Sequence, residues 1–178
     1  MKYVKHLAAA TLLAASWSAN AISLVGPTVT YNGHDYTLMT ADTWTNSEAF
    51  ATSLSGNLVA VNDAAENSFL ISTFGSNVAL WIGLYRTSPN APTFAWTIGD
   101  AVTYTNWASG EPNNCCAGED YTHTYISGQW NDLDNLNGYA GPKYGVLENV
   151  SNVKVSEPSA FLIALMGLGL LGLSRRRK

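Results

Sequence analysis

The sequence predicts an α+β domain, and three observations carry that prediction. Two segments with helix start and stop signals come early, near residues 45–56 and 63–75. Short strand-like runs lie before, between and after them. The last apolar runs, residues 122–126 and 144–147, then close a small sheet. Helices segregated from mainly antiparallel strands define this class.

Each element has its own reason. Residues 29–31 and 35–38 alternate apolar and polar side chains, as a half-buried strand does. Thr45 opens a capping box with Glu48, and Gly56 stops the helix. Ala49, Phe50 and Leu54 line one side of it. A second helix starts at Asp63, with Glu66 as partner. It carries Ala65, Phe69 and Leu70 and ends near Gly75. Residues 58–61 and 79–84 read as strands. From Leu84 to about Gly128, Pro, Gly, Asn, Ser and Thr dominate, with aromatics between them. That stretch is too long for an ordinary connection, so it is read as a functional loop. Trp44, Trp81, Trp96 and Trp107 are expected in the core, and Trp130 is expected to anchor the loop.

The ends are read as processing segments. Residues 1–21 contain Lys2 and Lys5, a short apolar run, and the small-x-small site Ala19-Asn20-Ala21, the order found in a secretory signal peptide. Residues 160–173 contain no polar side chain, and Arg175, Arg176, Arg177 and Lys178 follow. This is read as a membrane segment with a basic cytoplasmic tail at 174–178, although the run is shorter than a comfortable span. Between them lie one domain, residues 22–150, and a linker, residues 151–159.

Without its ends the domain is acidic. From residue 22 to 156 there are three Lys or Arg against twelve Asp or Glu, a balance of −9 where the whole chain has −4. Such a surface repels nucleic acid and invites cations. Five of the acids fall between Glu111 and Asp134. Glu111-Pro112-Asn113, Glu119-Asp120 and Trp130-Asn131-Asp132 offer carboxylate and amide oxygens and no imidazole. Calcium takes six to eight oxygen ligands in irregular cages, whereas magnesium demands a tight octahedron. Zinc is the alternative through Cys115, Cys116 and His123. A hydrated acidic loop without metal accounts for the composition equally well.

In order, Trp81-Ile82-Gly83-Leu84, Glu111-Pro112-Asn113 and Trp130-Asn131-Asp132 resemble the C-type lectin domain, as does the earlier stretch Trp44, Ala49, residues 54–58 and Glu66-Asn67. The resemblance runs from about Tyr31 to Glu148. It implies a C-type lectin-like fold: two helices, small antiparallel sheets and a long calcium-binding loop. It implies a cis peptide before Pro112 and a calcium ion (Ca2+) held by Glu111, Asn113, Glu119, Asn131 and Asp132. It also implies carbohydrate binding through Glu111, Asn113, Glu119 and Asn131, with mannose-type sugars as the expected glycan. A second calcium site of some members uses carboxylates where this chain has Arg86 and Asn114, so none is expected. The family's long disulfide falls at Ala51 and Leu147, and an apolar contact is expected instead. Cys115 and Cys116 sit where members place sugar-contacting residues. They are left with three fates: a vicinal disulfide, a bridge to another chain, or free thiols.

Glu157-Pro158, residues 160–173 and the final basic cluster resemble the PEP-CTERM sorting signal of Gram-negative bacteria that make exopolysaccharide. This implies export through the inner membrane, a membrane-anchored precursor, processing by an exosortase-type enzyme, and a destination at the cell surface or in the matrix. The leading expectation is a calcium-dependent carbohydrate-binding module. The second is a structural or protein-binding matrix domain on the same fold. An enzyme is not expected, because no nucleophile–His pattern stands out and adjacent acids such as Glu119 and Asp120 seldom face one bond.

Overall fold

A computed structural model of the chain describes residues 21–116, 118–135 and 143–150. The signal-peptide reading (apart from Ala21), the sorting motif, the membrane segment and the basic tail lie outside them. Among the described residues no helix is long and apolar enough to cross a membrane.

Strand β1, Leu24–Tyr31, pairs antiparallel with β2, His34–Met39. The two residues between them, Asn32 and Gly33, have φ of 48° and 84°. Asn-Gly is the pair that tolerates such a turn, and its twist matches that of the flanking strands.

Helix α1 spans Trp44–Ser53, and its cap differs from the expected one. Thr43, not Thr45, is extended and accepts the Asn46 amide at 3.2 Å. The Thr45 amide is instead taken by Asn135 Oδ1 at 3.0 Å, a contact from far along the chain. Glu48 does not turn back to the cap. Its oxygens accept Asn57 Nδ2 at 2.8 Å and the Leu58 amide at 2.7 Å, fixing the turn into β3, Asn57–Leu58. Helix α2, Ala64–Leu70, has the expected cap: Asp63 accepts the Glu66 amide at 2.8 Å. Glu66 returns its carboxylate to the Asn62 amide at 2.8 Å. The helix then widens into a π-helical turn, Ile71–Gly75.

The remaining strands are β4, Leu80–Arg86; β5, Phe94–Trp96; β6, Tyr121–Thr124; β7, Trp130–Leu133; and β8, Tyr144–Val150. They run in the order β1-β2-β8-β4-β6-β7, with β3 beside β8 and β5 beside β4. All pairs are antiparallel except β4 with β8, so one parallel join links the expected small antiparallel sheets.

Two buried clusters share this frame. One gathers Tyr36, Val59, Leu70, Ile82, Trp96, Trp130 and neighbours; the other gathers Met39, Trp44, Ala51, Leu58, Trp81, Leu133 and Leu147. Ala51 and Leu147 thus belong to the same apolar cluster. Trp44, Trp81, Trp96 and Trp130 are buried, and Trp107 is half-buried against the first cluster.

Gly83 explains the Trp-Ile-Gly block physically. A Cβ there would lie 2.4 Å from Leu58 O and 2.8 Å from Thr97 Oγ1. The backbone cannot retreat easily, since the Gly83 amide donates to Val59 O at 2.8 Å and its carbonyl accepts the Thr97 amide at 3.0 Å. Gly83→Ala is expected to destabilise the domain by about 1–3 kcal/mol, the scale of overpacking a rigid core. Urea unfolding reads this directly; an unchanged midpoint refutes the close-approach argument.

Candidate functional site

The long connection from β4 to β6 folds back over the β6–β7 end of the sheet. The Glu111–Pro112 peptide within it is cis. Gly110 and Gly118 have φ of 91° and 118°, and Asn114 and Cys116 also have positive φ, at 50° and 60°. These turns bring the loop's own amides onto its side-chain oxygens. The Asn113 amide points between Glu111 Oε2 at 3.1 Å and Asp132 Oδ1 at 3.0 Å. The Cys115 amide donates to Asn113 Oδ1 at 2.8 Å and Glu119 Oε2 at 2.9 Å. Asn114 Oδ1 accepts the Glu119 amide at 2.9 Å.

From below, β7 presents Trp130-Asn131-Asp132. Trp130 pairs its backbone with the loop: its amide donates to Asn106 O at 2.7 Å, and its carbonyl accepts the Ala108 amide at 2.8 Å. Asn131 is held by His123 on β6. His123 Nδ1 lies 3.0 Å from the Thr124 carbonyl, which can only accept, so Nδ1 carries the proton. Nε2 is then the acceptor for Asn131 Nδ2 at 3.3 Å. That fixes the amide's orientation and leaves its carbonyl oxygen as the atom to offer a cation.

Four of the five predicted metal ligands, Glu111, Asn113, Glu119 and Asn131, line one groove of about 510 Å³. Asp134 adds a further carboxylate. Cys115, Cys116, Tyr125 and Leu133 supply the apolar part of its wall. The fifth residue, Asp132, is fully buried behind it. Its carboxylate accepts the Asn113 and Asn114 amides and pairs with Arg86.

The electrostatics suit a cation. Burial raises the Glu111 carboxyl above its ordinary range, and the Asp132 charge adds to this. Burial raises Glu119 too; the Cys115 amide lowers it, while Asp132, Glu111 and Asp134 raise it further. Carboxylates that resist ionising together are those a divalent cation relieves. Among the described residues, no three His, Cys, Asp or Glu side chains are set to hold a metal by themselves. A cation here takes the oxygens of Asn113 and Asn131 as well, which fits calcium. The donors fit zinc poorly: Cys115 and Cys116 are joined to each other as a vicinal disulfide, and both nitrogens of His123 are engaged.

Tyr125, Leu133 and Asp134 escaped sequence reasoning because nothing local marks them as groove residues. Arg86 was read only as a missing carboxylate. One signal was available: between residues 22 and 142 it is the only Lys or Arg.

Fold and groove together define a C-type lectin domain, and comparison with known proteins agrees. The family model described as Lectin C-type domain matches residues 40–137, and the PEP-CTERM protein-sorting motif matches residues 154–178. The chain belongs to the C-type lectin domain family and carries a PEP-CTERM sorting motif. That family consists of non-enzymatic carbohydrate-binding domains, and PEP-CTERM motifs mark exported proteins processed at the membrane. The low affinity immunoglobulin epsilon Fc receptor of Mus musculus is 37% identical over 89 residues, covering 50% of this chain and 26% of the receptor. This chain therefore spans about a quarter of that relative. The C-type carbohydrate-recognition domain of cow CD23, solved with a GlcNAc2Man3 oligosaccharide, superposes with a TM-score of 0.64 at 24% identity, covering 73% of this chain and 99% of that one. A calcium-independent type II antifreeze protein gives a TM-score of 0.61 at 20% identity, covering 72% and 96%.

Proposed function

We propose that this domain is an exported, calcium-dependent carbohydrate-binding module, associated with exopolysaccharide or a surface matrix. The supporting observation is the groove that gathers Glu111, Asn113, Glu119 and Asn131 above the buried Asp132. These five residues hold the ion in this reading. Bound calcium supplies a centre whose free positions accept two neighbouring hydroxyls of a pyranose. Glu111 and Glu119 then accept the hydroxyl protons, and the amides of Asn113 and Asn131 donate to the hydroxyl oxygens. A mannose-type glycan is the expected ligand. Such contacts are small and wet, so one site binds with roughly millimolar affinity, about 4 kcal/mol, and arrays of copies supply avidity. Signal peptide 1–21, membrane segment 160–173, basic tail 174–178 and an exosortase-type enzyme carry the domain out and release it.

The test is calorimetric titration of calcium into the purified protein, repeated with Glu119→Ala and Asn131→Ala. One site of micromolar to millimolar affinity, abolished in both variants, is expected. Binding to a mannan surface should then disappear with chelator. Absence of binding heat, with no calcium-dependent thermal shift, removes the lectin mechanism. It leaves the second reading, a structural or protein-binding matrix domain, which draws on the calcium-independent antifreeze protein of the same fold.

A further inference from the structure

Arg86 ends β4 beneath the long loop, and its side chain is almost fully buried. Its guanidinium reaches three separate segments. Nε donates to Glu119 O at 2.7 Å, Nη1 donates to Ala91 O, and Nη2 pairs with Asp132 Oδ2. Its backbone amide donates to Asp120 O at 2.8 Å. The planar cation also lies 4.6 Å from the centre of the Phe94 ring. Asp132 also holds the loop, Oδ1 accepting the Asn113 amide at 3.0 Å and Oδ2 the Asn114 amide at 2.9 Å, which leaves Oδ1 room for a further partner. Two further links close the ring. Asn90 donates its amide to Asp120 Oδ1 at 2.9 Å, and Asn114 Nδ2 donates to Asn90 Oδ1 at 3.0 Å.

A fully buried carboxylate needs a counter-charge, or it protonates or drags in water. In an acidic loop that charge comes from a metal ion or from the chain. Here the chain supplies it, from the only Lys or Arg between residues 22 and 142. The guanidinium fork suits the task, since its donors leave in fixed directions toward several acceptors at once.

We propose that Arg86 is a resident cation: by neutralising Asp132 from behind, it holds residues 111–116 and 118–120 of the loop in their groove-forming shape without any bound metal. Arg86 is thus a positioning residue. Its side chain meets the Glu119 carbonyl and the Asp132 carboxylate, and it reaches the rest of the loop through the Asn113 and Asn114 amides that Asp132 holds. The loop is pre-ordered, so a cation entering the groove does not have to fold it. The inference is independent of sugar binding and stands whether or not the groove takes calcium.

The experiment is amide hydrogen exchange on the full chain in calcium-free buffer with excess chelator, read at Asn113 and Asn114. The strand amides of Ile82 and Val146 report whether the fold is intact. In the wild type, both loop amides should stay protected in chelator. Arg86→Met keeps much of the packing and removes the charge. It should speed their exchange on the order of a hundredfold, the scale of unpairing one partner of a buried ion pair, while the strand amides stay protected. Arg86→Lys keeps the charge without the fork and should retain part of the protection, exchanging more slowly than Arg86→Met. Loop amides that exchange freely in the wild type under chelator, with the strands protected, overturn the proposal without any variant. Equal exchange in Arg86→Met and Arg86→Lys also overturns it, because Arg86 then serves only as filler. Should Arg86→Met fail to fold, the wild type and Arg86→Lys in chelator still decide the question.

Discussion

Trp130→Ala should cost the domain about 3–5 kcal/mol, the scale of removing a fully buried aromatic side chain. Trp130 has no exposed surface. Its indole meets Trp96, Tyr104 and Trp107 edge-on, at centroid distances of 5.9, 5.6 and 5.8 Å with planes near 80°. Such edge-to-face contacts add to simple burial. Its Nε1 also donates to Asn67 Oδ1 at 2.8 Å, joining α2 to β7. The alanine variant therefore opens a cavity at the meeting point of three rings and strands a buried amide oxygen. Typical domains hold only about 5–15 kcal/mol in total, so this variant should sit near the edge of folding. Trp130→Phe separates the two contributions. It keeps a six-membered ring and loses the donor together with the small pyrrole edge, so a cost of about 1–3 kcal/mol is expected, chiefly from the stranded Asn67 oxygen. Urea unfolding followed by fluorescence and near-ultraviolet dichroism gives both numbers. A loss below about 1 kcal/mol in the alanine variant would mean that the aromatic cluster relaxes freely, against the close packing described here. Asn131 and Asp132 follow Trp130 directly, so the same variant should loosen the groove before it unfolds the sheet.

What was legible in the sequence was local. Asp63 and Glu66 are three residues apart, and Asp63 accepts the Glu66 amide while Glu66 accepts the Asn62 amide, so the cap could be read from spacing. The α1 cap could not. Thr43 and Thr45 are equally good capping residues, and the choice falls to Asp42 Oδ1, 2.6 Å from the Thr43 amide, and to the distant Asn135. Strand β7 was missed for a related reason. Its residues Trp130-Asn131-Asp132-Leu133 are all buried, yet two of them are polar, so no alternation marks a strand. Their burial is tolerable only because His123, Arg86 and the loop amides satisfy them. The groove-lining Glu111, Asn113, Glu119 and Asn131 were legible as motifs. The Arg86–Asp132 pair, 46 residues apart, was not, because periodicity and spacing carry no information about contacts at that range.

Acidification should reveal the support beneath Asn131. His123 is buried, and desolvation lowers its pKa from 6.5 to about 4; the Thr124 carbonyl raises it and Lys143 lowers it further. The sign follows from proton counting. Between those two values the unfolded chain holds a proton on this side chain and the folded one does not. Stability is therefore fully present above about pH 6.5 and is lost as pH falls toward about 4, with no further loss from this group below that. At about 1.4 kcal/mol per unit, the whole effect is about 3 kcal/mol. Other groups work in the opposite sense: burial raises the carboxyls of Glu148, Glu111 and Glu119, so acid relieves them. The raw pH profile mixes these contributions, and a variant is needed to isolate the histidine. His123→Gln keeps an acceptor for Asn131 and removes the titration. Chelator-treated wild type and variant, unfolded in urea from neutral pH down to about pH 4, should differ by a gap that changes by about 3 kcal/mol in favour of the variant. Parallel profiles would show that protonated His123 is accommodated, by rotating toward solvent or by flipping Asn131. The neutral, two-contact imidazole is then not what holds Asn131 in the groove.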